Sequence, residues 1–449
     1  YSYDNGLRER TAIFPQSGAA GVIGHFEATI RLMNTSSSII EQQWLQARAL
    51  LGAGKAPESV PFLEMAATAL HPAACFNLGC LHLFQLIETS DKQRGLSLIR
   101  EAARQGHAGA LYRLAIIELG KPDKHPDWQY VNECLKKSAE QGHPPALRSL
   151  AIHWSHSGDE ALLSLGTLCL EHAAELGDMT SLALLMHRLY EGVGCEKNTL
   201  RASAINTLLL QTPLDVEPPQ SMTDMQFARS MHLPGLSDLP EPALQNDLWL
   251  ADLKTVSDSP WIVTADDVLT PEECRLIRYL GCPHLQPSVT ATPDGQRAQI
   301  QLRTSFDMLF EEMLEDVSLL MIQRRMAMVV DTTPAYSEHM QLLRYQNGQE
   351  YRPHRDYLPP GMVTSLAEGG PGQRDSTVIA YLNDVDNGGE TEFCELDKKI
   401  APKTGRIVAF KNLFPDGTPD ARTLHAGLPV SSGSKWIATL WIHQGIFRQ

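Results

Sequence analysis

The sequence has no C-x-x-C pair, and its eight scattered cysteines show no zinc-binding spacing. It also lacks a run of eighteen apolar residues, so no membrane-spanning helix is expected. Basic residues are few, with 38 Lys and Arg compared with 53 Asp and Glu. The resulting net charge of −15 argues against nucleic acid or an anionic membrane as a partner. With 43% hydrophobic residues, wholesale disorder is excluded. Single cysteines are typical of a reducing compartment, so a cytoplasmic protein is predicted.

A length of 449 residues predicts two or three domains. One motif recurs at steps of 36, 36 and 35 residues, in copies that begin at Ala66, Ala102, Ser138 and Ala173. Each copy ends in Gly-His or an equivalent pair, and a helical pattern follows. Helix pairs of this period stack into an α-solenoid. The motif resembles Sel1-type repeats, relatives of the tetratricopeptide repeat, over roughly residues 41–211, where they would serve as scaffold or bind a partner.

Residues 212–245 contain six prolines and therefore predict a connector. The predicted domains are a helical repeat domain at 1–211, this connector, and a third domain at 246–449.

The third domain changes to strand-like patterns. Thr270 followed by Pro271 predicts the start of a helix, and a second helix is predicted over residues 305–328. Short β-branched and aromatic runs predict strands at 340–345, 377–382, 406–410 and 436–441. Short strands without alternating helices favour an antiparallel sandwich or jelly roll. The predicted fold class is therefore multidomain α plus β.

A possible metal site lies in the segment that contains His354 and Asp356. Two residues apart on a strand, these side chains would point to the same side. With His425 they would form a two-His, one-carboxylate triad, which is the ligand set of non-haem Fe(II) oxygenases. The chain holds a second H-x-D match at His125 and Asp127, between predicted helices and without a downstream partner, which we interpret as surface.

Ten residues after His425 comes Lys435, on a predicted strand of apolar residues. A buried ammonium needs an anion, such as the far carboxylate of a metal-chelating dicarboxylate. The alternative is that the lysine reaches solvent along its flexible stem. Tyr345 and Thr391 supply hydroxyl groups on neighbouring predicted strands.

Several motifs in order resemble the prolyl 4-hydroxylase-type catalytic domain of the Fe(II)/2-oxoglutarate dioxygenases over residues 261–449. They lie at residues 303–305, 343–356, 372–377, 381–385, 388–393 and 433–436. The resemblance implies a double-stranded β-helix with supporting helices. It also implies iron held by His354, Asp356 and His425, and 2-oxoglutarate held by Lys435.

The resemblance assigns further residues to the site. Tyr345 and Thr391 match positions that help to hold the co-substrate, and Trp441 lies near it. Arg303 and Arg374 are substrate-site candidates, although Arg374 could equally be a solvated loop charge. The family often has an aromatic residue inside the H-x-D triplet, where this chain has Arg355; this puts substrate similarity in doubt.

The implied activity is hydroxylation of prolyl residues in a protein or peptide, with Fe(II), 2-oxoglutarate and O2, and with ascorbate as a further candidate. The alternatives are hydroxylation of a free amino acid or small metabolite, with the repeats used for assembly, and a non-catalytic repeat adaptor. Gly- and Pro-rich segments at 286–299 and 357–376 could close over the site or be plain surface loops.

Overall fold

The computed structural model describes residues 38–122, 125–214, 239–249, 251–288, 290–291, 297–298 and 303–448. The chain divides into two compact units, the first ending at Ala102 and the second beginning at Ala103. Most of the predicted connector lies outside the described residues, as do positions 289, 292–296 and 299 of the first predicted lid segment. The domain boundaries therefore stay a prediction. No helix in the described ranges has the length and apolar character needed to cross a bilayer.

Helices of the first unit pack closely where small residues meet. The helices are α1 (residues 38–52), α2 (Ala56–Thr68), α3 (Pro72–Leu83) and α4 (Lys92–Arg104), of which α4 runs into the second unit. A Cβ on Gly79 would lie 2.9 Å from the carbonyl oxygen of Gly95 and 2.8 Å from the side chain of Ile99. Any larger residue at Gly79 would therefore push α3 and α4 apart.

The recurring Gly-His motif marks the end of one helix and the start of the next. The repeat helices of the second unit are α5 (Ala108–Leu119), α6 (Trp128–Glu140), α7 (Pro144–Trp154), α8 (Glu160–Glu175), α9 (Met179–Glu191) and α10 (Thr199–Leu209). Gly106 is left-handed, with φ at 82°, just beyond α4. His107 then caps α5, because its Nδ1 accepts a hydrogen bond from the Ala110 amide at 3.2 Å. Asp178 caps α9 in the same way, so the predicted helix-pair repeat is confirmed.

The β-structure is a jelly roll, as predicted. Its strands are β1 (Lys254–Asp258), β2 (Trp261–Ala265), β3 (Gln286–Pro287), β4 (Thr290–Ala291), β5 (Arg297–Ala298), β6 (Phe306–Leu309), β7 (Gln341–Gln346), β8 (Tyr351–His354), β9 (Arg374–Tyr381), β10 (Asn387–Gly388), β11 (Thr391–Phe393), β12 (Lys398–Ile400), β13 (Ile407–Lys411), β14 (His425–Gly427), β15 (Val430–Ser432) and β16 (Ser434–His443). Within the described residues the larger sheet orders eight strands as β1-β2-β13-β9-β16-β7-β6-β3, and the smaller orders four as β12-β11-β14-β8. Buried side chains of both sheets, including Phe393 and Phe410, share one core.

Two helices support the larger sheet, α11 (Pro271–Gly281) and α12 (Val317–Met328). The start of α11 is confirmed, because Thr270 and Glu273 form a reciprocal capping box. The helix predicted over 305–328 is wrong in its first half, where Phe306–Leu309 is strand β6 paired with β7. Pairing with a distant strand overrides local propensity there, and the Asp316 cap starts the helix later.

A buried charged cluster joins the repeat helices to α12. Asp316 Oδ2 accepts hydrogen bonds from Arg148 Nη2 and from the Tyr112 hydroxyl, each at 2.9 Å. Arg148 also forms an ion pair with Asp178. The side chains of Arg148 and Asp316 are nearly inaccessible to solvent. The repeat helices α5 and α7 therefore contact the start of α12.

Helix α9 of the repeats also contacts helix α11. Arg188 forms a bidentate ion pair with Glu272 at 2.7 and 2.8 Å, and His187 hydrogen-bonds the Tyr279 hydroxyl at 2.6 Å. The face that α5, α7 and α9 share is thus occupied, within the described residues, by α11 and α12.

Replacing Arg148 by Met should lower the free energy of unfolding by about 3–5 kcal/mol, because Asp178 and Asp316 would keep buried carboxylates without this cation. Urea denaturation of the full chain measures the change. Lys137→Met is the matched control: its pair with Glu133 on α6 is exposed and should contribute less than about 1 kcal/mol. Equal stability of the two variants would contradict a desolvated cluster.

Candidate metal centre

The two histidines of the predicted triad are direct partners across two strands. His354, the last residue of β8, lies opposite His425, the first residue of β14. Their ring centroids are 4.2 Å apart. Asp356 comes after the end of β8, so strand alternation is not what aims it at the histidines. The chain turns after His354 and brings the carboxylate back.

The three side chains offer ligand atoms that lie within 4.8 Å of one another. His354 Nε2 is 3.6 Å from Asp356 Oδ1, and His425 Nε2 is 3.7 Å from Asp356 Oδ2. Each Nδ1 lies near a main-chain carbonyl, 2.9 Å from Arg352 and 3.0 Å from Thr423. With Nδ1–H donating to these carbonyls, both Nε2 lone pairs face the carboxylate, as metal-ligating histidines require.

Burial prepares these groups for a cation. It lowers the pKa of His354 to about 3, assisted by the nearby His425, so the imidazole is neutral at pH 7 and needs no deprotonation to bind metal. Burial alone would raise the pKa of Asp356, but His425, His354 and Arg374 together hold it below its usual range. Two imidazoles and one carboxylate fit Fe(II). Their role as ligands stays a prediction.

Two polar residues that sequence reasoning missed support the Asp356 carboxylate, Thr377 directly and Asn412 through Thr377. The Thr377 hydroxyl donates to Asp356 Oδ2 at 2.8 Å, and Asn412 Nδ2 donates to Thr377 Oγ1 at 3.0 Å. All three residues are buried. The inward position of Thr377 on β9 could have suggested it, but Asn412 is brought in only by the packing of β13.

Thr377→Val should weaken metal binding by about 10- to 100-fold, because the shape is kept while the hydrogen bond to Asp356 is lost. Anaerobic Fe(II) titration measures the affinity. Thr207→Val on α10, an exposed threonine bonded only to its own helix, should leave it unchanged. Equal affinities for the two variants would mean that Asp356 needs no such support.

A cavity opens beside the three groups, lined by alternate residues of β16. Lys435, Ile437, Thr439 and Trp441 share this face, as the period of two along a strand requires. The other lining residues include Arg303, Tyr345, His354, Asp356, Thr391 and His425. The structure thus brings together all the predicted site residues except Arg374, which lies beside this lining.

Lys435 is buried, with 2% of its surface exposed, and does not reach solvent along its stem. Within the described part of the chain, no hydrogen bond or ion pair engages its ammonium. Its Nζ lies over the rings of Tyr345 and Tyr381, 5.6 and 5.5 Å from their centroids. Burial lowers its pKa to about 8, partly offset by Glu390. Such a group is suited to an anion supplied from outside the chain.

Hydroxyl groups surround the lysine end of the cavity. The Tyr381 hydroxyl donates to Thr391 Oγ1 at 2.7 Å, which leaves the Thr391 hydrogen available to a bound anion. Tyr345 pairs directly with Lys435 across β7 and β16. Gly427 also matters, because a Cβ there would lie 3.8 Å from Lys435 Nζ and would narrow the cavity.

If Lys435 holds 2-oxoglutarate, as the sequence predicts, co-substrate binding should depend on pH. Its charged form dominates below its pKa of about 8, so affinity for 2-oxoglutarate should be highest there and fall about tenfold by pH 9. Anaerobic calorimetry between pH 7 and pH 9.5 measures this profile. Lys435→Arg should bind more weakly but with a nearly flat profile, because Arg stays protonated. A flat wild-type profile would contradict pairing with Lys435.

Tyr351 is another residue that the sequence did not single out. Its ring stacks on His354, with centroids 3.4 Å apart and planes 16° from parallel. The Arg303 guanidinium lies over the Tyr351 ring, 5.4 Å from its centroid, and is ion-paired with Asp307. Burial raises the pKa of Tyr351 to about 12, so it remains a neutral hydroxyl.

Arg374 is half-buried and fully engaged. It forms a bidentate ion pair with Glu338 at 2.5 and 2.9 Å, and donates to the main-chain oxygen of Asp356 at 3.2 Å. Its guanidinium lies 4.2 Å from the Trp441 ring centroid. His443 hydrogen-bonds Glu338 at 2.9 Å. This pairing was not foreseen, since Glu338 and His443 are distant in sequence; a substrate role for Arg374 stays a prediction.

The predicted lid segment 357–376 is anchored at its base. The Gln373 side chain bonds both the amide and the carbonyl of Leu358, at 2.6 and 2.8 Å. Arg355, the departure within the triplet, points away from the ligand atoms and donates to the Ala421 carbonyl at 2.8 Å. Closure of this segment stays a prediction.

The second H-x-D match has a different local role. Asp127 caps α6 by accepting from the Tyr130 amide at 3.0 Å. Among the described residues, the His-Asp-His group at 354, 356 and 425 is the one that could hold a metal.

The chain is similar to known proteins in both parts. The sequence-family model of the 2OG-Fe(II) oxygenase superfamily matches residues 340–443. Prolyl 4-hydroxylase 1 of Arabidopsis thaliana is 34% identical over 206 residues, which cover 42% of this chain and 71% of that protein.

Two solved structures are also similar. The viral collagen prolyl hydroxylase of Paramecium bursaria chlorella virus 1, solved with 2-oxoglutarate, is 28% identical with a TM-score of 0.33, covering 42% of this chain and 98% of that one. A Sel1 repeat protein from Oxalobacter formigenes is 18% identical with a TM-score of 0.30, covering 37% and 69%.

Proposed function

Because this chain belongs to the prolyl 4-hydroxylase family of the 2OG-Fe(II) oxygenases, we propose that it hydroxylates prolyl residues in a protein or peptide. It is a 2-oxoglutarate-dependent dioxygenase. Its ligands for iron would be His354, Asp356 and His425, and Lys435 would hold the co-substrate. The observation that carries the proposal is that these four side chains converge on one cavity.

When bound, iron and 2-oxoglutarate would supply the oxidising chemistry, in which one atom of O2 enters the substrate, the other ends in succinate, and CO2 leaves. The chain's own groups would bind and orient the reactants. The histidines would offer their Nε2 atoms, and Asp356 would offer an ionised oxygen fixed by Thr377. Lys435 would pair with the far carboxylate, with the Thr391 hydroxyl donating to the same group.

Apolar residues of the cavity would keep water from the reacting groups. Leu343, Ile379 and Ile437 line it and are almost wholly buried. Tyr351, which stacks on His354, and Trp441 both line the cavity and supply aromatic surfaces that suit an aliphatic ring such as that of proline. A dry cavity strengthens the Lys435 pairing and limits oxidation of the enzyme itself.

The test is intact-mass analysis after incubation of the full chain with Fe(II), 2-oxoglutarate and a proline-containing peptide, with free proline in parallel. We expect one added oxygen on the peptide and little on free proline. Oxidation of free proline alone would support the small-molecule alternative. Omitting ascorbate tests whether that reductant is needed, and His425→Ala controls for oxidation that the site does not catalyse.

A further inference from the structure

Arg448, which follows β16, joins three separate segments of the second unit. Its Nη1 donates to Glu315 Oε1 at 2.9 Å, just before α12 begins. Its Nη2 donates to Gln323 Oε1 on α12 at 2.8 Å and to the main-chain oxygen of Glu338 at 2.7 Å. Only 11% of the Arg448 side chain is exposed. One buried guanidinium therefore connects α12 and the segment before it to the residue that pairs with Arg374.

The segment that carries Glu315 is held by the repeat helices. Arg113 Nη1 on α5 donates to the main-chain oxygen of Glu312 at 3.1 Å. The hydroxyl of Tyr112, also on α5, donates to Asp316 Oδ2 at 2.9 Å. Glu315 lies between these two contacts, so the position of its carboxylate depends on the repeats.

At the other end of the connection, Glu338 lies outside the strands, before the start of β7. Its amide donates to the Trp441 carbonyl at 2.8 Å, and its own carbonyl accepts from Arg448. Its carboxylate forms the bidentate pair with Arg374, which in turn donates to the main-chain oxygen of Asp356 at 3.2 Å. The orientation of Arg374 beside the cavity therefore depends on how Glu338 is held.

We propose that Arg448 is a positioning residue through which the repeat helices hold Glu338, and with it Arg374, in place for the substrate. The inference rests on the proposed polypeptide substrate and on its contact with Arg374. The main chain around Arg448 is tied independently of its side chain, because the amides of Phe447 and Arg448 both donate to the Ala335 carbonyl, at 2.9 and 3.0 Å. Loss of the guanidinium should thus displace Glu338 and leave the chain folded.

The test is Arg448→Met in the full chain, assayed with Fe(II), 2-oxoglutarate and the proline-containing peptide. The kcat/KM for the peptide should fall about 10- to 100-fold, mainly through KM, because misplacing a binding group by about 1 Å can cost about a hundredfold. The KM for 2-oxoglutarate and its turnover without peptide depend on the cavity around Lys435 and should stay within about twofold. Burial raises the pKa of Glu315 to about 7, so without the guanidinium this carboxyl can take up a proton and avoid a buried unpaired charge.

Two further variants make the test specific. Arg448→Lys keeps a cation beside Glu315 but lacks the planar fork that also reaches Glu338, so it should restore part of the loss. Arg406→Met is the matched control, because Arg406 also binds a carboxylate, that of Asp266, and a main-chain carbonyl. It should leave every value unchanged. A wild-type peptide KM in a folded Arg448→Met variant, or equal losses with peptide and with 2-oxoglutarate, would overturn the proposal; the Lys variant carries the test if the Met variant unfolds.

Tyr112→Phe tests the connection to the repeats. Loss of the hydroxyl contact with Asp316 should raise the peptide KM about threefold in the otherwise wild-type chain. In the Arg448→Met background the same change should have no further effect, because the connection is already broken there. Additive effects of the two substitutions would overturn the part assigned to the repeats.

Hydrogen–deuterium exchange without substrate separates this inference from the proposed function. Fragments that contain Glu338 and residues 372–376 should exchange faster in Arg448→Met than in the wild type, and Arg406→Met should leave them unchanged. Faster exchange in a protein whose wild type oxidises no peptide would support the hold on Glu338 and count against the proposed function alone. Unchanged exchange at Glu338 would overturn the positioning role of Arg448.

Discussion

Alanine at His354, Asp356 or His425 is expected to abolish succinate production while the chain remains folded. The three candidate ligand atoms lie within 4.8 Å of one another, so each removal would leave an incomplete donor set. The loss of iron affinity should exceed the roughly 10- to 100-fold loss that is expected when only a hydrogen-bond partner of a ligand is removed. Succinate release and anaerobic Fe(II) titration of each variant measure activity and metal affinity, and circular dichroism checks the fold.

The second H-x-D match provides the control. His125→Ala and Asp127→Asn should keep both iron binding and turnover, and asparagine at 127 preserves the cap of α6. A variant at 354, 356 or 425 with near-wild-type succinate production would remove that residue from the ligand set. Loss of iron in the 125 or 127 variant would mean that the wrong triplet was assigned.

Lys435→Ala should raise the 2-oxoglutarate requirement by about two to four orders of magnitude and leave iron affinity almost unchanged. The reason is that the far carboxylate would be buried at the lysine end of the cavity without its paired cation, a loss of about 3–5 kcal/mol. Lys435→Arg should restore part of the affinity, limited by its larger planar head group. Anaerobic titration with 2-oxoglutarate beside the metal titration separates the two effects.

Lys399→Ala is the matched control, because Lys399 belongs to the same jelly roll but is exposed and paired with Glu392. It should leave both titrations unchanged. An Ala variant at 435 with a wild-type 2-oxoglutarate curve would show that another cation holds the co-substrate, and would remove the main support for this assignment.

The repeat motif could be predicted from the sequence because its chemistry is local. A left-handed Gly106 and a capping His107 stop one helix and start the next whatever surrounds them. The same holds for Thr270 and Glu273 at the start of α11. The metal chemistry was predicted from two histidines and a carboxylate together with Lys435 and the family motifs around them, because an H-x-D triplet alone also occurs at His125 and Asp127.

The other features could not be predicted because they depend on pairing between residues that are distant in sequence. Residues 306–309 look helical in isolation but pair with β7, so the predicted helix was too long. Asp356 is aimed by the chain beyond β8 and by a hydrogen bond from Thr377, which strand periodicity could not indicate. Glu338 lies 36 residues before Arg374 in sequence, yet it is the partner that orients this arginine.

The sequence by itself determined the helix repeat, the jelly-roll class and the residue types of the candidate site, because caps, periodicity and ligand chemistry act within a few residues. Only the tertiary structure decided that His354 and His425 are opposite one another, that Lys435 is buried, and that α5, α7 and α9 are covered by α11 and α12. Those features depend on which distant surfaces pack together and exclude water. That outcome is a property of the whole folded chain, and no short stretch of residues encodes it.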